Sequence, residues 1–120
     1  MATFGLPRDS RLLRPADFAA LRGNSERIAT RSFVAEHRHN ETSSARLGIA
    51  VSRRVSKRAV VRNRIRRVIR ESYRLHRLGL PAADILVIAR LQAAEIPNAQ
   101  LRADLESIWL RLSASRASGR

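Results

Sequence analysis

Apolar residues alternate with polar ones over Arg46-Leu-Gly-Ile-Ala-Val-Ser52, placing Leu47, Ile49 and Val51 on one side of an extended chain. That period of two predicts a half-buried strand. Residues 84 to 90, Asp-Ile-Leu-Val-Ile-Ala-Arg, carry a continuous apolar run at 85 to 89 and fit a buried strand. β-branched and aromatic positions at Ile28, Thr30, Phe33 and Val34 give residues 27 to 38 strand character, before the polar stretch His39-Asn-Glu-Thr-Ser-Ser44 turns the chain. From about Lys57 to Arg77 no Gly or Pro intervenes, and Gly79 with Pro81 supplies a stop, so this is a long central helix. Leu101, Leu105, Ile108, Trp109 and Leu112 recur at helical spacing across Asn98 to Leu112, and the stripe assigns Trp109 to the core. Pro15 and Gly23 bracket a short helix over about 15 to 22. Helix, strands, helix, strand, helix is the order of an α+β fold in which helices cover at least one face of a mixed sheet.

A chain of 120 residues makes one compact domain with one core. Its bounds are set at 1–112, leaving 113–120, small, polar and basic, as a disordered tail. No apolar stretch approaches the roughly 20 residues of a membrane span. The N-terminus lacks the apolar run of a secretory signal, and a cytoplasmic location is expected. Cysteine is absent, which removes disulfides, thiolate chemistry and the sulfur ligands of zinc.

Charge changes the picture most. Lys plus Arg number 24 against 10 Asp plus Glu, a net charge of +14 that points to a polyanionic partner. Lys57 is the only lysine, so the charge resides on guanidinium groups, which grip phosphate bidentately and stack on bases. Between Arg53 and Arg77 eleven cationic residues face the single acid Glu71, concentrating +10 of the +14 on the central helix and its approach. At about 100° per residue, Val61, Ile65, Val68, Ser72 and Leu75 gather on one arc, with Arg58, Arg62, Asn63, Arg66, Arg67, Arg70 and Arg74 opposite. Glu71 can pair with Arg67 or Arg74 at helical spacing, but one glutamate cannot neutralise the arc. Crowding arginines costs repulsion that a phosphate backbone offsets while releasing its own counterions.

The string Arg62-Asn-Arg-Ile-Arg-Arg-Val-Ile-Arg-Glu71 resembles the signature helix of the bacterial ribonuclease P protein family, R-N-R-I-K-R followed by two variable residues and R-E; only the Lys position differs, filled by Arg66. Arg46-Leu-Gly-Ile-Ala-Val-Ser-Arg-Arg54 and Asp84-Ile-Leu-Val-Ile-Ala-Arg90 resemble the strands before and after that helix, and Arg11-Leu and Asp17-Phe18 its opening helix region. The similarity spans about residues 8 to 112. It implies a single-domain α-β sandwich of order α-β-β-β-α-β-α, with a mixed four-stranded sheet and a left-handed β-α-β crossover, against the usual right-handed rule. It also implies the protein component of a ribonucleoprotein endonuclease that matures the 5′ end of tRNA, with cleavage chemistry on the catalytic RNA subunit.

Carried over by the resemblance, Arg53, Arg54, Lys57, Arg58, Arg62, Asn63, Arg64, Arg66, Arg67 and Arg70 are the candidates for binding the catalytic RNA. Phe18, Phe33, Val51 and Arg90 are those for a cleft that takes the 5′ leader of precursor tRNA. Core is the competing assignment for both phenylalanines. Arg22 and Glu36 stand where many or some family members carry an aromatic, which thins leader stacking, and residues 55–59 lack the glycine that commonly precedes the helix.

No catalytic or metal site is expected on the protein. His37 and His39 share a side of an extended strand, but only Glu36 and Glu41 accompany them, and no motif supplies the paired carboxylates or histidines of a protein nuclease. No cofactor is expected on the protein alone; the ribonucleoprotein reaction is expected to use Mg2+ held by RNA and substrate phosphates. The expected partners are the catalytic RNA and precursor tRNA, with one protein per RNA and no membrane. A structural RNA-binding protein such as a ribosomal one would carry similar charge, whereas a helix-based DNA binder would need a helix-turn-helix or dimer seam that is not visible.

Overall fold

The computed structural model describes residues 25–40 and 44–117. The elements are β1 (Glu26–Ala29), β2 (Phe33–His39), β3 (Arg46–Ala50), α1 (Ala59–His76), β4 (Ala83–Ala89) and α2 (Asn98–Ala117), with 3-10 turns at Arg77–Gly79 and Leu91–Glu95. The helix expected over 15–22, and with it Phe18, lies outside the described residues.

The strand-forming stretch 27–38 is a hairpin of two strands. It breaks where the Thr30 amide donates to the Phe33 carbonyl at 2.8 Å and the Phe33 amide donates to Thr30 Oγ1 at 3.0 Å. A threonine hydroxyl here does what Gly or Pro more often does in turns, and so no strong turn signal marks it. The strands run in the order β1-β2-β4-β3; β1–β2 and β2–β4 are antiparallel, and β3 lies parallel to β4. α1 is therefore the crossover between two parallel neighbours.

One face of the sheet presents Ile28, Phe33, Ala35, Leu47, Val51, Ile85 and Val87 to Ile65, Val68 and Ile69 of α1 and to Leu101, Leu105, Ile108, Trp109 and Leu112 of α2 in one core. Leu86 is buried on the other face, with Ala50 and Ile88 packed beside it, which explains why β4 reads as an uninterrupted apolar run. Ser72, polar within an apolar arc, accepts a hydrogen bond from Trp109 Nε1 at 2.8 Å. Tyr73 lies edge-on to the Trp109 ring, centroids 5.9 Å apart, and its hydroxyl donates to the Ala45 carbonyl at 3.0 Å. Those contacts lock α1 to α2 and to the start of β3.

Two boundaries move. Helix α2 crosses Leu112 and continues to Ala117, because Ser113-Ala-Ser-Arg-Ala contains no helix breaker and Ser113 Oγ donates to the Gly79 carbonyl at 3.0 Å; residues 118–120 lie outside the described set. On α1, Leu75 is 72% exposed, while Ile69 and Tyr73, absent from the expected arc, are fully buried. The buried arc runs from Val68 to Tyr73, roughly 140° at the helical repeat, and Leu75 falls just past its edge.

Candidate nucleic-acid interface

The approach to α1 is held by its serines. The Val55 amide donates to the Ser52 carbonyl at 3.1 Å, the Arg54 amide to Ser52 Oγ at 3.3 Å and the Arg58 amide to Ser56 Oγ at 3.1 Å. These local side-chain bonds shape the turn without a glycine and leave Arg53, Arg54, Lys57 and Arg58 exposed. The first turn of α1 contains no acid, although the N-terminal end of a helix dipole is positive. Cations stacked on a positive helix end are an arrangement that an anion stabilises.

Along α1 the candidate residues divide into two groups. Asn63, Arg67 and Arg70 are exposed on the side away from the sheet. Arg62, Arg64 and Arg66 are partly buried and grip the protein itself. Arg62 Nη1 donates to the Ser56 carbonyl at 2.9 Å, folding back over the helix start. Arg66 Nη2 donates to the Val51 carbonyl at 3.3 Å, and its Nη1 to Asn63 Oδ1 at 3.2 Å. Arg64 reaches the opposite way, Nη2 to the Ala94 carbonyl at 3.0 Å and Nη1 to Asn98 Oδ1 at 2.6 Å, so one guanidinium ties α1 to the 3-10 turn and to the first residue of α2. The R-N-R segment thus has architectural work in addition to its charge.

Of the four residues assigned to a leader cleft, Phe33 is 0% exposed and sits in the core beneath the helices, so in this structure its ring offers no face to a base. Alternation decides this: Phe33 shares its face with Ala35 and, across the ladder, Ala89, the face that α1 and α2 cover. Val51 is buried in the same core, leaving only its carbonyl to the interface through Arg66. Arg90 is exposed, with Nη1 donating to the Thr30 carbonyl at 3.1 Å. Phe18 lies outside the described residues.

The acids nearest the sheet ends are committed to structure. Asp84 receives Arg46 Nε at 2.8 Å, Arg46 Nη2 at 2.9 Å and Asn40 Nδ2 at 2.9 Å. Burial raises its pKa, but those bonds outweigh the burial and hold the carboxyl below its usual value. His37 is half-buried, and burial pushes its pKa down against the opposing pull of Glu26. Among the described residues no three His, Asp or Glu side chains group as metal ligands, and no helix is long and apolar enough to cross a membrane.

A small α-β sandwich with a helix and loop that concentrate arginine on one surface defines a class, the compact RNA-binding domains. Within that class the chain belongs to the ribonuclease P protein family: the family model described as Ribonuclease P matches residues 6–113. It is 40% identical over 114 residues to the ribonuclease P protein component of Thioalkalivibrio sulfidiphilus, covering 95% of each chain. It is 43% identical over 104 residues to that of Halorhodospira halophila, covering 86% of this chain and 85% of the relative. Among solved structures, the RNase P protein of Staphylococcus aureus superposes with a TM-score of 0.78 at 36% identity, covering 86% of this chain and 94% of that one. The RNase P protein of Thermotoga maritima gives 0.75 at 29% identity, covering 83% and 96%. The family role is RNA binding in tRNA 5′ maturation by an endoribonuclease of which this protein is a component.

Proposed function

We propose that the chain acts in ribonuclease P by clamping the phosphate backbone of the catalytic RNA with the exposed arginines of α1 and its approach. The observation that carries this is the division of α1, whose buried side is complete as a core while the opposite side presents Arg67 and Arg70 beside the Arg53–Arg58 loop. Arg62, Arg64 and Arg66 keep that surface in place, and Arg62 and Arg66 have guanidinium donors left over to share with phosphate. The cleavage chemistry resides on the RNA, with Mg2+ held by RNA and substrate phosphates; Asp84 and Asp104, bound by their own neighbours, are not arranged for metal or acid-base work. Precursor tRNA is the substrate of the assembled particle, which contains one protein per RNA in the cytoplasm.

The test is binding of the catalytic RNA by Arg67→Ala and Arg70→Ala across a salt series. Each variant should keep its melting temperature, bind more weakly and show a salt dependence shallower by up to about 0.7–0.9 log units per decade. Arg111→Ala, an exposed arginine of α2, is the control of equal charge. Equal losses at Arg70 and Arg111 would mean diffuse attraction and would remove α1 from the interface.

A further inference from the structure

Of the 24 cationic side chains of the sequence, Lys57 alone carries an amine. The difference is one of reactivity as well as shape. A guanidinium stays protonated and delocalised, so its nitrogens do not attack acyl groups under physiological conditions. An ammonium exchanges its proton with water, and the free amine is a nucleophile whose acylation removes the charge outright. An acyl donor that meets this protein's cationic side chains therefore finds one that it can neutralise.

The fold decides what that neutralisation reaches. Lys57 is exposed in the loop between β3 and α1, together with exposed Arg53, Arg54 and Arg58. Val55 anchors the loop from beneath: it is buried, and its amide donates to the Ser52 carbonyl at 3.1 Å. On one side of Lys57 the Ser56 carbonyl accepts Arg62 Nη1 at 2.9 Å. On the other the Arg58 carbonyl accepts the Val61 and Arg62 amides at 3.1 and 3.2 Å. Both chain neighbours of Lys57 are thus tied to the first turn of α1, which fixes where the amine leaves the backbone. The ion pairs among the described residues, Arg27 with Glu36 and Arg46 with Asp84, lie on the sheet, so no described acid offsets Arg53, Arg54, Lys57 or Arg58. An uncompensated cluster of one sign raises the local concentration of its counterions. Acyl phosphates and acyl thioesters of coenzyme A carry phosphate, so the surface that collects RNA also collects the reagent.

We propose that Lys57 is a site of acylation by phosphate-bearing acyl donors, and that the modification weakens the hold of the chain on the catalytic RNA. The proposal rests on the α1 reading above. In the reaction the neutral Nζ attacks the acyl carbonyl carbon and a C–N bond forms. The bond from that carbon to the phosphate oxygen, or to sulfur in a thioester, breaks. The leaving group departs with the electron pair and takes up the proton that the nitrogen loses. The product is a neutral amide, so the loop loses one unit of charge and one phosphate contact, while Arg53, Arg54 and Arg58 keep theirs. With arginine at every other cationic position, acylation cannot spread to the rest of the interface.

The experiment treats the full chain, freed of RNA, with acetyl phosphate, with acetyl-coenzyme A and with the uncharged donor phenyl acetate, and maps the modified peptides by mass spectrometry. Each rate is divided by that of a free lysine amide with the same donor, and Lys57→Arg, treated alike, corrects for acylation at the chain terminus. Lys57 should react with a phosphate-bearing donor several-fold faster at low salt than at 1 M, where screening shortens the reach of charge to about 3 Å; phenyl acetate should show little of that dependence. Bound catalytic RNA should protect Lys57. Catalytic-RNA affinity is then measured before and after treatment. The acylated chain should bind about threefold to tenfold more weakly, with a salt slope shallower by up to about 0.7–0.9 log units per decade, while Lys57→Arg should match its own untreated affinity. Reaction of Lys57 no faster than the free amine, or equally salt-dependent with the uncharged donor, would overturn the proposal. So would acylation at Lys57 that leaves RNA affinity unchanged while Arg70→Ala binds weakly, an outcome in which the α1 reading stands. If Arg70→Ala matches Arg111→Ala as well, the α1 reading itself falls.

Discussion

Two charged side chains show how differently the same chemistry is used at single positions. Arg64 donates to Asn98 and to the Ala94 carbonyl from the flank of α1, and its removal leaves those acceptors partly sequestered without a donor. Arg64→Ala is expected to cost about 1–3 kcal/mol of stability, measured by urea denaturation, and Arg64→Lys should not restore it because one ammonium cannot span both acceptors. Arg70→Ala, at an exposed position, should stay within about 0.5 kcal/mol of the parent. Asp84 is buried beneath Arg46, whose side chain is 26% exposed. Breaking a buried pair costs about 3–5 kcal/mol; because Arg46 can partly rehydrate, Asp84→Ala should fall near the lower figure at neutral pH. Its carboxyl titrates lower when folded than when unfolded, so the stabilisation is present above the ordinary aspartate value of about 3.9 and is lost as pH falls through the folded value. Melting curves of parent and variant should therefore converge in acid, and a constant gap down to pH 2 would show that the charge of Asp84 is not what stabilises it.

At the scale of elements, α1 was legible in extent and only partly in orientation. Unbroken helix-forming sequence between the turn at Ser56 and the stop at Gly79 bounds it well, the alternation in β3 identifies its buried face, and the unbroken run in β4 identifies its burial. The centre of the buried arc is another matter. A helical wheel ranks residues by polarity and does not know the width of the surface opposite, so it groups Leu75 with the core and leaves Tyr73 out. In the fold the phenol is worth burying because the Ala45 carbonyl receives it, and burial pushes its pKa up to about 12 against the pull of Arg77. Tyr73→Phe should accordingly cost about 1 kcal/mol, one hydrogen bond, whereas Leu75→Gln should be nearly silent in thermal melts. The site was legible as a charge density but not as a division of labour: spacing alone cannot tell that Arg62 and Arg64 turn inward to carbonyls supplied by Ser56 and Ala94. Core is the commoner fate of a lone phenylalanine, and the register that sets Phe33 opposite Ala89 gives it that fate against the cleft implied by the resemblance.

For the whole molecule the decisive quantity is the net charge of +14 set on a fold whose described aspartates, Asp84 and Asp104, are engaged internally. Two RNAs brought together in one particle repel through their phosphates, and either protein cations or dissolved ions can relieve that repulsion. Screening already shortens the reach of charge from about 10 Å at 0.1 M salt to about 3 Å at 1 M, so the protein should matter most where dissolved ions are scarce. The expected outcome is that protein freed of RNA leaves precursor tRNA intact, that the RNA subunit alone cleaves only at high Mg2+, and that adding the protein moves cleavage to low Mg2+. The gain should shrink steadily as Mg2+ or monovalent salt rises. Single-turnover cleavage measured across a Mg2+ series, with parent protein, Arg70→Ala and Arg111→Ala, separates an electrostatic role from a chemical one. An electrostatic role predicts that Arg70→Ala requires more Mg2+ but reaches the parent's limiting rate, and that Arg111→Ala behaves as the parent. A lower limiting rate at saturating Mg2+ would place the arginine at the reacting phosphate instead, and site-specific cleavage by the protein alone would move the chemistry off the RNA altogether.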